Sequence, residues 1–112
     1  MISYQDFEKV DIRVGKIIEV SDFPEARNPA FKLKIDFGPE VGIKTSSVQA
    51  VGAHTKDDLR DMLVVGVVNF PPKKIGSFVS EVLTLGFRNT GGNGWVLITP
   101  AKRSVDIGDK LR

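Results

Sequence analysis

From Val67 to Leu85 the chain reads V-V-N-F-P-P-K-K-I-G-S-F-V-S-E-V-L-T-L, and the fold turns on how this segment is divided. Pro71-Pro72 ends an apolar strand, because neither residue can donate a ladder hydrogen bond. A fifth strand is predicted from about Phe78 to Leu85, which leaves Lys73 and Lys74 in a basic turn between the two. Glu81 strains this division. Counted from Val79 it shares a strand face with Leu83 and Leu85, and an unpaired buried carboxylate is costly. Either the strand begins after Glu81, or the carboxylate is satisfied by backbone N–H groups and a cation near the barrel's end. In the structural role Glu81 orders the loop carrying the lysines; in the functional one it accepts hydrogen bonds from a base amino or imino group.

The same region holds most of the charge asymmetry. Between Met62 and Val105, Glu81 is the single carboxylate against Lys73, Lys74, Arg88, Lys102 and Arg103. Residues 1–61 carry nine basic and eleven acidic side chains. A net charge of only +2 therefore conceals a positive region able to attract a polyanion.

Upstream, M-L-V-V-G-V-V-N-F at Met62–Phe70 is apolar at nearly every position and is predicted to be covered on both faces. Phe31, Leu33, Ile35 and Phe37 alternate with Lys32, Lys34 and Asp36 in the clearest strand of the chain. From Val10 to Val20 the even positions Val10, Ile12, Val14, Ile18 and Val20 are apolar, and Gly15 marks a bulge or bend. Gly38-Pro39 turns the chain into a third strand, V-G-I-K-T-S-S-V-Q-A-V, whose alternation slips near Thr45. Thr55 with Asp58 forms a capping box for a short helix, and Ser3 with Asp6 caps one N-terminal turn. N-T-G-G-N-G is a loose turn before W-V-L-I-T, and V-D-I-G-D-K-L-R returns as an extended tail.

These elements make residues 1–112 one domain, all-β, with five main strands, a short helix between strands three and four, and N- and C-terminal extensions. A partly open five-stranded OB-fold barrel fits this pattern. Strand count alone also admits an SH3-like barrel; the helix position favours the OB order. At 112 residues, 41% apolar and 27% charged, the composition is that of a soluble globular protein. No apolar run reaches the roughly 20 residues needed to span a bilayer. The N-terminus lacks a basic n-region followed by an apolar h-region, so the expected location is cytoplasmic without membrane insertion.

Catalytic chemistry finds little material. The chain has no cysteine and one histidine, His54, which reads as a solvated loop residue. Asp57 and Asp58 fall in a first helical turn, where the helix dipole favours them. No catalytic residue, metal or cofactor is expected. Binding finds more. Arg13, Lys32 and Lys34 point away from the apolar faces of their strands and would form one cationic row if strands one and two pair. Lys73 and Lys74 add to it beside the groove that OB-folds use for oligonucleotides.

Three blocks carry a resemblance: D-I-R-V-G-K-I at Asp11–Ile17, P-E-A-R-N-P-A-F-K-L at Pro24–Leu33, and V-N-F-P-P-K-K-I-G-S-F-V-S-E-V-L at Val68–Leu83. Together they resemble the tRNA-binding OB-fold domains appended to methionyl-tRNA synthetases and related trans-acting factors. N-F-P-P-K-K-I with S-E-V-L is most similar to the CsaA type, small members described as secretion-related chaperones. The resemblance implies a homodimer, joined through its terminal extensions, that recognises tRNA or structured RNA by shape. It points to Arg13, Lys16, Asn69, Lys73, Lys74, Ser80 and Glu81 as motif residues. It also implies an apolar cavity for unfolded or preprotein polypeptide, with the export machinery as a further partner. Phe70, Pro71, Pro72 and Phe78 would then form either that cavity or the dimer seam. Where synthetase-linked domains carry H-P-x-A-D-K-L, this chain has Phe23 in place of the histidine.

Overall fold

The clearest sequence pattern organises the barrel. A computed structural model describes residues 1–112, and in it β2 (Phe31–Asp36) turns Phe31, Leu33 and Ile35 inward while Lys32 and Lys34 face out. This strand pairs on one side with β1 (Ile12–Asp22) and on the other with β3 (Ile43–Val48), both antiparallel. The sheet continues from β1 to β4 (Leu63–Val67) and then to the two-residue β7 (Leu83–Thr84), giving the order β3-β2-β1-β4-β7. With β7 returning toward β3, the result is a nearly closed, antiparallel five-stranded barrel of the OB type.

The remaining elements are short. A capping box between Ser3 and Asp6 starts α1 (Tyr4–Glu8), and a second between Thr55 and Asp58 starts α3 (Lys56–Leu59), between β3 and β4 as predicted. Gly38-Pro39 opens a one-turn helix, α2 (Gly38–Val41), where only a turn was expected. Leu59 is fully buried, so α3 plugs into the core that Ile17, Leu33, Ile35, Phe37 and Val64 build. None of these helices is long and apolar enough to cross a membrane.

β1 departs from simple alternation. Its first half pairs with β4 and its second half with β2, and the register slips between Ile17 and Glu19. That bulge puts Ile17 at 0% exposure and turns Ile18 out to 45%, while Val20 packs back against the core, so the even-position pattern breaks at Ile18. Gly15 is not the bulge. A Cβ there would lie 2.6 Å from Ile35 and 2.8 Å from Phe37, so the missing side chain lets the core close over the strand.

β4 is buried along its whole length, as its composition predicts. Val64 enters the core, while Val65 and Val14 lie beneath the C-terminal segment, whose Ile98, Val105 and Leu111 line the same concavity. The tail returns along β1: the Gly108 and Leu111 amides donate to the carbonyls of Val14 and Ile12, at 2.8 and 2.7 Å. β3 also behaves differently from the prediction. Its pairing with β2 runs through six consecutive residue pairs without a slip. The break in hydrophobic pattern reflects Ser46, which occupies an inward position with its hydroxyl bonded to the Val82 carbonyl and Thr84 Oγ1. His54 is held rather than solvated, because its Nε2 accepts the Leu97 N–H at 3.1 Å.

Candidate nucleic-acid interface

The predicted fifth strand is two pieces, β6 (Phe78–Ser80) and β7, and Lys73 and Lys74, expected in a turn before it, lie in a strand of their own, β5 (Lys73–Ile75). β5 and β6 form a hairpin closed by Gly76-Ser77, with Gly76 at φ 61°, a value that suits a residue without a side chain. The chain then bends at Glu81-Val82 into β7. β4 ends at Val67, ahead of Pro71-Pro72, which instead lead into the hairpin, while the glycine makes its turn. Beyond β7, β8 (Gly86–Arg88) and β9 (Trp95–Leu97) form a second hairpin across the N-T-G-G-N-G turn.

Glu81 explains the bend. Its amide donates to the Thr45 carbonyl at 2.8 Å, and its Oε1 accepts both the Thr45 amide at 3.1 Å and the Thr45 hydroxyl at 2.9 Å. Ser80 Oγ accepts the Ser47 amide at 3.0 Å. Side chains therefore replace ladder bonds where β3 meets β6 and β7, and they close the barrel. No cation is needed to satisfy Glu81. The carboxylate sits on the seam, where strict alternation would have buried it.

Two concavities flank the β5–β6 hairpin. The larger, of 510 Å³, is lined by Lys73, Ile75, Ser80 and Glu81 together with Phe70, Pro71, Leu83, Thr84 and Trp95. The smaller, of 160 Å³, is lined by Glu19, Ser21, Lys32, Lys34, Thr45 and Phe78 on the outer face of β1–β2–β3. Lys32 Nζ lies 5.5 Å from the Phe23 ring and 5.9 Å from the Phe78 ring, which pack edge to face at 5.2 Å. Phe23 in the β1–β2 loop and Phe78 in the hairpin are thereby tied together, with a cation over both.

The cations predicted to form one row separate into classes. β1 and β2 do pair, and Lys32 and Lys34 are on their outer face, Lys34 beside Glu19 at 3.5 Å. Arg13 does not join them. It faces the end of the barrel, where its guanidinium bonds Asp11, Glu40 and the Gly108 carbonyl, and the two carboxylates, Asp11 first, raise its pKa further. The inward position follows from its sharing strand parity with Gly15 and Ile17. Lys16 lies 3.8 Å from Asp61, away from the hairpin. Asn69 accepts the Asp11 amide and donates to the Lys9 carbonyl, pinning the N-terminal segment to the end of β4. Lys73 and Lys74 are exposed and have no carboxylate within ion-pair distance.

The aromatic and proline cluster separates as well. Phe70, 53% exposed, and Pro71 line the larger groove; Phe78 belongs to the smaller one, and Pro72 is exposed and lines neither. Sequence reasoning missed Trp95, which lines the larger groove, and Phe23, which packs against Phe78. Trp95 is the chain's one tryptophan and follows a glycine turn, a signal available beforehand.

Residues 12–110 match the family model described as "Putative tRNA binding domain". The chain is 33% identical over 111 residues to the methionine–tRNA ligase of Thermococcus onnurineus, covering 99% of this chain and 14% of that protein. It thus spans only a small part of the curated relatives it matches. Among solved structures, the CsaA chaperone protein from Picrophilus torridus is 51% identical with a TM-score of 0.90, covering 100% of both chains. The chaperone CsaA from Bacillus anthracis is 41% identical with a TM-score of 0.88, over 100% of this chain and 99% of that one. With its barrel, hairpin and sequence in agreement, the chain belongs to the tRNA-binding domain family and, within it, to the CsaA type.

Proposed function

We propose that the protein is a non-catalytic homodimer that binds tRNA or similarly structured RNA in the cytoplasm. The observation that carries this reading is the hairpin: Lys73 and Lys74 stand exposed and unpaired in a region almost free of carboxylates. Cations so placed are available to phosphates, and Lys32 extends the positive surface along β2. Membership of a tRNA-binding family supports the same ligand. The terminal extensions support the dimer. Ile2, Tyr4 and Leu111 are exposed, and the two extensions meet where Lys110 Nζ donates to the Glu8 carbonyl. Apolar surface of this kind marks an interaction site.

Gel-shift titration of the purified protein with folded tRNA and with an unstructured RNA of equal length tests the ligand. Tighter, salt-sensitive binding of the folded RNA is expected, and equal binding contradicts recognition by shape. Light scattering tests the assembly, with twice the chain mass expected and a single-chain mass contradicting the dimer.

A second reading is favoured by exposed Phe70 and Leu83 and by the names of the similar structures: a chaperone for unfolded or preprotein polypeptide, working with the export machinery. A Phe70→Ala protein that keeps its mass but loses peptide binding supports it. Loss of neither property removes Phe70 from that role.

A further inference from the structure

We propose that the groove beside the β5–β6 hairpin holds one unstacked guanine of the bound RNA, an inference that rests on the RNA-binding reading. The argument begins with Glu81. Its Oε1 accepts the Thr45 amide and shares the Thr45 hydroxyl with the Val79 carbonyl, and these bonds fix the carboxylate. Its Oε2 has no protein partner, and since no buried side-chain oxygen in the chain lacks one, Oε2 is open to solvent. Glu81 lines the groove, so an immobilised, accessible anionic acceptor stands in its wall.

That acceptor discriminates among bases. Guanine places N1–H and the N2 amino group side by side, two donors for one carboxylate oxygen with two lone pairs. Adenine and cytosine set an acceptor nitrogen beside their amino group, and uracil flanks its single N–H with two carbonyls. Each of these arrangements turns an acceptor toward a carboxylate. The other walls suit a base rather than an ion: Trp95, Phe70 and Pro71 offer flat apolar faces for stacking. Lys73 stands on the same groove to receive the phosphate. The 510 Å³ volume lies within the roughly 300–1,000 Å³ usual for small-molecule sites. An apolar peptide segment would leave both Lys73 and Glu81 Oε2 without partners.

Trp95, the chain's one tryptophan, reports directly on the groove. The test titrates its fluorescence with uridine pentamers bearing a central guanosine, adenosine, cytidine, uridine or inosine. The guanosine pentamer should bind about tenfold more tightly than the adenosine, cytidine and uridine pentamers, as expected for a paired hydrogen bond to a base edge. Inosine, lacking the N2 amino group, should fall between, an outcome that depends on no protein variant. Glu81→Gln keeps an oxygen for Thr45 but turns an NH₂ where Oε2 was. It should abolish the guanine preference and weaken tRNA binding by no more than about tenfold, while the salt dependence carried by the lysines stays in place.

Equal binding of all pentamers overturns the proposal, as does a guanine preference that survives Glu81→Gln. Quenching by an apolar peptide that the guanosine pentamer fails to displace assigns the groove to polypeptide and also overturns it. Salt-dependent tRNA binding measured on the same samples separates the two failures. If it persists without base preference, only the guanine assignment falls; if it is absent, the RNA-binding reading falls with it.

Discussion

Two parts of this barrel handle cations in opposite ways. At the Arg13 end, a guanidinium only 13% exposed donates to two carboxylates and a backbone carbonyl, tying β1, α2 and the C-terminal tail together. At the β5–β6 hairpin, Lys73 and Lys74 sit in solvent with no carboxylate beside them, while the carboxylate nearest in sequence, Glu81, is committed to Thr45. The same kind of charge is fold in one place and surface in the other. Partners decide the difference. A cation whose donors are saturated within the chain has little left for a ligand, whereas one that costs the fold nothing to remove is free to bind.

The sharpest break of this comparison is at Arg13. Arg13→Ala leaves Asp11 and the Gly108 carbonyl without their donor and should lower unfolding free energy by about 2–3 kcal/mol in a urea titration. Arg13→Lys should recover only part of that loss, because an ammonium cannot reproduce the fork of donors. A stability unchanged by Arg13→Ala would return this residue to the binding surface. Next is the seam: Glu81→Ala strands the Thr45 amide, while the Thr45 hydroxyl keeps the Val79 carbonyl, and should cost about 1–2 kcal/mol. Hydrogen exchange at the Thr45 amide checks it, with retained protection arguing against Glu81 as the closure. Lys32→Ala removes the cation over Phe23 and Phe78 and should cost about 0.5–1 kcal/mol of stability, read from the same titration.

The smallest effect is acid-dependent and belongs to the helix caps. The Asp6 and Asp58 carboxylates are held below their ordinary value of 3.8, chiefly by backbone hydrogen bonds at Ser3 and Thr55 and then by the side chains there. Both groups have depressed folded values, so their contribution is present above the ordinary carboxylate range and is lost as pH falls through the lowered values. The Ser3 and Thr55 amide shifts should therefore titrate with midpoints below 3.8. Midpoints above it would remove the caps from the account.

What the sequence showed was what local chemistry determines. Ser3 with Asp6, Thr55 with Asp58, and the alternation from Phe31 to Phe37 depend on neighbours within a few residues, and each takes the predicted form. The barrel class followed from the number and order of such pieces. The errors lie where distant partners decide. Arg13 looks outward in a strand pattern, yet Glu40 and Gly108, far along the chain, draw it into the barrel end. Ile17 and Ile18 exchange roles because β1 shifts register to serve two neighbours. The fifth strand breaks because Glu81 and Ser80 bond to β3 from the side. At the candidate site, Lys73, Lys74 and Glu81 were legible from charge and position, but Trp95 joins them only through the β8–β9 hairpin.

The central claim is that the hairpin lysines are surface for a phosphate backbone rather than part of the fold. The direct test compares wild type with the Lys73→Ala, Lys74→Ala double variant, measuring tRNA affinity across a salt series beside thermal unfolding. The account predicts stability within about 0.5 kcal/mol of wild type and a log-affinity against log-salt slope shallower by about two. An unchanged slope in a protein of unchanged stability would contradict it.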